Sequence, residues 1–127
     1  MHIYKRYDSK KRMLAAPLLF FELEDEIQQL KEDPEWPARQ RTAVTLVKEP
    51  ELSVVLVIAQ KGAALREHHT ESPVTLQVLS GSVRFVAGDD TRTVARNGFI
   101  ALDKGIPHEV EALEESAFLL TIIEPKH

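Results

Sequence analysis

The side chains with the most chemical capacity in this sequence are three histidines set away from its ends. His68 and His69 are adjacent in KGAALREHH, and His108 stands about forty residues later in GIPHEV. Imidazole is a borderline ligand for first-row transition metals and, equally, a plain hydrogen-bonding group for an organic ligand. Two histidines at the ends of different strands of one small barrel can converge across its mouth. Along a strand successive residues point to opposite faces, so if His68 faces the interior then His69 faces away and Thr70 shares the interior side. A neutral hydroxyl is a weak ligand. Glu71 comes within reach only where the chain leaves strand geometry, which Pro73 permits. Other chemistry is thin: there is no Gly-rich phosphate loop, no G-x-S-x-G turn and no H-E-x-x-H pair. Glu67, Glu109 and Glu111 lie beside the histidines, but their alternation gives them solvent-facing positions. The absence of cysteine excludes disulfides, thiolate metal sites, iron–sulfur clusters and cysteine nucleophiles.

The elements that must position these side chains are mostly strands. From Arg41 onward, TAVTLV, SVVLVIAQ, VTLQVLSG, SVRFVAG, RTVAR, FIALD, HEVEAL and AFLLTIIE are short β-branched or alternating segments. KEPEL, KGAAL, TESP, SGS, GDDT, RNG, DKGIP and EES separate them as turn material. Tight turns between short strands imply an antiparallel sandwich or barrel rather than βαβ units. Gly81-Ser82 and Gly88-Asp89-Asp90 supply hairpin positions, and Asn97-Gly98 is the strongest hairpin signal. One helix precedes the strands: Phe20, Leu23, Ile27 and Leu30 form a single amphipathic stripe, with Pro17 in its first turn and Asp33-Pro34 ending it. Trp36, the lone tryptophan, is expected to plug an end of the barrel or a subunit contact. Gln77 and Arg84 are out of phase with Val74, Leu76 and Val78 and should point away from the interior.

At this point the sequence resembles a cupin. The first cupin motif, G-x5-H-x-H-x3,4-E-x6-G, is matched by Gly62, His68 and Gly81, and both glycines fix His68 as its first histidine. The second, G-x5-P-x-G-x2-H-x3-N, is matched by Gly105-Ile106-Pro107-His108, with Asn97 where the opening glycine belongs. Asn tolerates left-handed backbone better than most residues. The resemblance covers roughly residues 41–124 and is strongest to small stand-alone cupins, many without an assigned activity. It implies an all-β fold, a double-stranded β-helix or jelly-roll barrel, with interior residues such as Leu76, Val78, Val83, Phe85, Ile100, Leu102 and Val110. It also implies a three-His-one-Glu metal site. Of that set only His68 and His108 are present: Thr70 replaces the second histidine and Val74 the glutamate, while Asp103 and Ala112 replace the proline and asparagine. The pocket residues carried over are thus His68, His108, Thr70 and Val74. A metal, if bound (Zn, Fe, Ni, Mn or Cu), would be held by His68, His108 and Glu71 or water. Two readings stay open: a small-molecule-binding cupin, and a metal-dependent oxygenase or isomerase with a reduced site.

Composition bounds the rest. The chain has 127 residues, 43% apolar and 28% charged, which suits one soluble globular domain. Sixteen Lys and Arg against twenty Asp and Glu give a net charge of −4, a poor match to nucleic acid or an anionic membrane surface. Basic residues gather in positions 1–21 and acidic ones in 22–35, blocks that read as solvated faces. We expect residues 1–40 to form an arm and helix, residues 41–127 the barrel, and the whole to be a cytoplasmic homodimer that binds a small molecule.

Overall fold

The computed structural model of the protein describes residues 2–5, 17–67 and 71–123. In chain order these hold β1 (His2–Lys5), α1 (Leu23–Lys31), β2 (Arg41–Glu49), β3 (Leu52–Ala59), β4 (Ala64–Glu67), β5 (Val74–Ser80), β6 (Ser82–Ala87), β7 (Asp90–Ala95), β8 (Phe99–Leu102), β9 (His108–Ala112) and β10 (Ser116–Ile123). The strands make a six-stranded sheet, β1-β2-β3-β10-β5-β8, and a four-stranded sheet, β4-β9-β6-β7. All eight strands read from the sequence form. KGAAL, a turn by composition, also supplies the first residues of β4, and β1 adds a parallel partner to β2 at the sheet edge.

Alternation decides which side chains the two sheets enclose. Ala43, Val57, Leu76, Val78 and Phe118 of the larger sheet meet Val83, Phe85, Val94, Val110 and Ala112 of the smaller in one buried core, with Ile100 and Leu102 packed against it. The inner set expected from the sequence is therefore in place, in a jelly-roll barrel. The run SVVLVIA in β3 is apolar at consecutive positions because both of its faces are covered. Val57 and Ala59 face the barrel core, while Leu56 and Ile58 face outward into a second cluster with Val44, Leu46 and Ala117. Ile27 and Leu30 of α1, together with Trp36, cover that outer face. Leu30 is fully buried, and removing such a side chain from water contributes about 2 kcal/mol.

Three expectations are corrected. The helix begins at Leu23, so Pro17 is not in its first turn, and Phe20 is 75% exposed. In the extended backbone before α1 it is Phe21 that packs on the outer cluster, which turns Phe20 to solvent. Trp36 plugs no barrel end; it lies in a short 3-10 turn, Trp36–Ala38, under the helix. Gln60 at the end of β3 ties that turn down, its side-chain amide donating to the carbonyls of Trp36 (3.0 Å) and Arg39 (3.1 Å). Asn97-Gly98 and Gly81-Ser82 form tight turns but not hairpins, because each passes the chain from one sheet to the other. At the first, Asn97 has φ 71°, Gly98 N–H donates to Ala95 O (2.7 Å), and Asn97 N–H reaches Val78 O (2.8 Å) on the opposite sheet. Of the three turns, Gly88-Asp89 does close a hairpin, between β6 and β7, as Pro50-Glu51 does between β2 and β3. Among the described residues no helix is long and apolar enough to cross a membrane.

Candidate functional site

The segment HEVEA alternates strictly, and Val110 and Ala112 are buried in the barrel core. His108 is the third member of that inner set and opens β9. Glu109 and Glu111 take the outer face and pair with Arg66 (2.9 Å) and with Arg84. Those acids are occupied by arginines on neighbouring strands, in keeping with the solvent-facing positions read for them.

The imidazole of His108 is fixed from two sides. Its ring stacks on Phe85 with centroids 5.7 Å apart and planes 11° from parallel. Its Nδ1 lies 3.1 Å from the carbonyl oxygen of Ile106. A carbonyl only accepts, so Nδ1–H is the donor, and in the neutral ring Nε2 keeps its lone pair. The half-buried ring therefore presents one oriented acceptor or ligand atom beside an apolar wall.

β9 lies between β4 and β6, with Glu67 and Ala87 as the Cα partners of His108. The chain thus arrives opposite His108 immediately before the histidine pair. His68, His69 and Thr70 themselves lie outside the described residues. Val74 begins β5 and is buried, in phase with Leu76 and Val78 and opposite Leu102. A hydrocarbon side chain occupies the position where the cupin motif has glutamate. Glu71 is exposed. Among the described residues no three His, Asp or Glu side chains gather to hold a metal. Of the four motif ligand positions, that of the glutamate is Val74 and that of the second histidine is Thr70, so the sequence does not supply a three-His-one-Glu centre.

A feature missed by the sequence reading lies on the flank of the barrel, where β7 edges one sheet and β8 the other. A cleft of about 240 Å³ is lined there by Phe85, Ala87, Asp90, Arg92 and residues 99–102. Register explains the lining: Phe85 pairs with Arg92, Ala87 with Asp90 and Val83 with Val94, so 90, 92 and 94 share the inner face. Val94 is covered by the core; Asp90 and Arg92 are not. Arg92 Nε donates to Asp90 Oδ1 (2.7 Å) and its Nη2 to Oδ2 (3.2 Å). This pairing holds the Asp90 carboxyl below the usual carboxylate range and raises Arg92. The alternation that identified Phe85 would have found both residues had it been carried through the Gly88-Asp89 turn.

No protein-family model matches the sequence, and neither does any curated protein. Solved structures do match its fold. A conserved protein of unknown function from Streptococcus pyogenes is 27% identical, with a TM-score of 0.66 over 69% of this chain and 77% of that one. An RmlC-like cupin from Shewanella frigidimarina is 13% identical, with a TM-score of 0.64 over 69% of this chain and 79% of the other. The salicylate 1,2-dioxygenase of Pseudoaminobacter salicylatoxidans is also 13% identical, with a TM-score of 0.70 over 81% of this chain and 34% of its own. The fold is that of the RmlC-like cupins, a set that includes enzymes and proteins without a known function.

Proposed function

We propose that the barrel binds a small organic molecule in a pocket built around His68 and His108, with Thr70 and Val74 among its walls. The observation that carries this reading is the fixed imidazole of His108. Its Nδ1–H is held by Ile106 and its face by Phe85, which leaves Nε2 as an oriented polar atom beside the apolar core residues Phe85 and Val110. A mostly apolar concavity with few, well-placed polar groups is the usual make-up of a small-molecule site. The alternative, a metal-dependent cupin enzyme with a reduced two-histidine site, would have to complete its shell with Glu71 or water, because Val74 at the motif's glutamate position carries no donor.

The test is a two-dimensional NMR screen of single-ring and short-chain organic probes against isotope-labelled protein. A saturable perturbation of the His108 ring that disappears in His108→Ala supports the pocket. A screen in which no probe moves His108, or in which those that do bind His108→Ala equally well, overturns it.

A further inference from the structure

The flank cleft has a chemistry of its own, and it points to a class of ligand. Its walls are Phe85, Ala87, Ile100, Leu102, Phe99 and Ala101, and among the described residues its polar side chains are those of the Asp90–Arg92 pair. Both oxygens of Asp90 accept from Arg92 through Nε and one Nη2 hydrogen. A guanidinium carries five N–H groups, so three donors remain on Arg92, all at its Nη edge. Those three N–H groups are donors that an anion in the cleft can use, while the Asp90 charge is already met by its pairing with Arg92. That edge accepts a carboxylate through two parallel hydrogen bonds. Among the described lining residues there is no second cation, which favours a single negative charge over a phosphate dianion. At about 240 Å³ the cleft lies below the roughly 300–1,000 Å³ of sites for drug-sized ligands.

We propose that this cleft takes a small monocarboxylic acid with a hydrocarbon body of about one ring, its carboxylate on the Nη edge of Arg92 and its body against Phe85, Ile100, Leu102 and Phe99. The proposal rests on the reading of the barrel as a small-molecule binder and names the ligand class. The cleft shares a wall with the histidine: Phe85 lines it and stacks on His108, and Ala87 lines it and is a Cα partner of His108. Phe99, 60% exposed at the rim, is a large apolar side chain that such a ligand would cover.

Benzoate and its neutral isostere benzamide are the probes, titrated into labelled protein with the amides of Phe85, Arg92 and Phe99 as reporters. The expected result is saturable benzoate binding at those amides, with benzamide at least about tenfold weaker. Arg92→Gln should reduce benzoate to the benzamide level. Arg84→Gln, which removes an exposed guanidinium from the outer face of the same sheet, should leave binding unchanged. Both positions are exposed, and a thermal melt of each variant establishes that it is folded. Equal binding of the two probes, retention of benzoate by Arg92→Gln, or equal loss in Arg84→Gln overturns the carboxylate site. A benzoate response at His108 without one at Arg92 or Phe99 also overturns it, while leaving the proposed function intact. A response at none of these residues overturns the carboxylate site, and the separate screen at His108 then decides the broader reading.

Discussion

The ring of His108 lies nearly parallel to that of Phe85, with planes 11° apart and centroids 5.7 Å apart. Phe85 is a core residue of β6 and His108 opens β9, and these strands are hydrogen-bonded neighbours. A buried phenyl ring thus sets the orientation of a half-buried imidazole, while Ile106 O sets its tautomer. Phe85→Leu keeps the hydrophobicity but removes the flat face. We expect a stability loss of about 1–2 kcal/mol in urea titration, from lost packing and the aromatic pair. The His108 ring resonances should lose an upfield ring-current displacement. Wild-type shifts in the variant would mean that Phe85 does not position the imidazole.

The second histidine is a matter of strand phase. The cupin motif spacing selects His68. In β4, however, Leu65 packs against the barrel core opposite Val110, so an unbroken strand carries residue 69, not 68, on the core side. Pairing is regular through Glu67, so the pocket role of His68 requires the alternation to break after that residue. In the fragment titration, His68→Ala should abolish the response at His108 and His69→Ala should leave it. The reverse outcome would transfer the pocket role to His69 and show that regular alternation continues past Glu67.

Metal content separates the binding reading from the enzyme reading. With Val74 in the carboxylate position, protein purified without a histidine tag and dialysed against a chelator should hold well under one transition metal per chain by elemental analysis. Added zinc should bind weakly and be released by His108→Ala. A stoichiometric metal that survives the chelator would show that the ligand set has been undercounted, and loss of that metal in Glu71→Ala would identify the extra carboxylate.

Gly81, like Gly98, sits where the chain passes from one sheet to the other. It has φ +79°, and a Cβ there would run into Ser116 Oγ and the carbonyl of Glu115. The Ser116 hydroxyl is itself committed, donating toward Ser82 O (3.0 Å) and Glu114 O (2.8 Å) and accepting from Ser82 N–H (3.1 Å). The left-handed backbone alone costs a non-glycine residue about 1–2 kcal/mol. Gly81→Ala should therefore lose at least about 2 kcal/mol in chemical denaturation, and Gly88→Ala, with open space around its Cβ, only the backbone part. Equal losses would remove the steric account of Gly81.

Local pattern recovered most of this fold because each inner position repeats every second residue. Leu76, Val78, Val83, Phe85 and Val110 all follow from that period. The destinations of the turns did not follow from it. Asn97-Gly98 has hairpin composition, yet β7 and β8 belong to different sheets, and only long-range pairing with Val78 decides that. The position of Trp36 was hidden for a similar reason, since an outer cluster exists only once α1 lies over β3. At the site, His108 was legible from motif and phase together. Asp90 and Arg92 were not, because Asp90 reads as turn material until its register with Ala87 is known.

Leu18 and Phe20 are 76% and 75% exposed, whereas Leu19 and Phe21 are half-buried, so the segment before α1 turns one apolar face to its own domain and one outward. We propose that a second copy covers the outward face and that the protein is a homodimer. In an interface with two-fold symmetry each side chain is used twice. At about 2 kcal/mol per buried large side chain, Leu18 and Phe20 from both copies would supply about 8 kcal/mol. Association itself costs roughly 4–15 kcal/mol, so these four side chains decide whether the dimer persists without being its whole interface. Light scattering at tens of micromolar should give a dimer for the full chain and a folded monomer for Leu18→Ser/Phe20→Ser. A monomeric full chain would refute the dimer. A dimeric double variant would clear the segment before α1 and move the interface onto a sheet face.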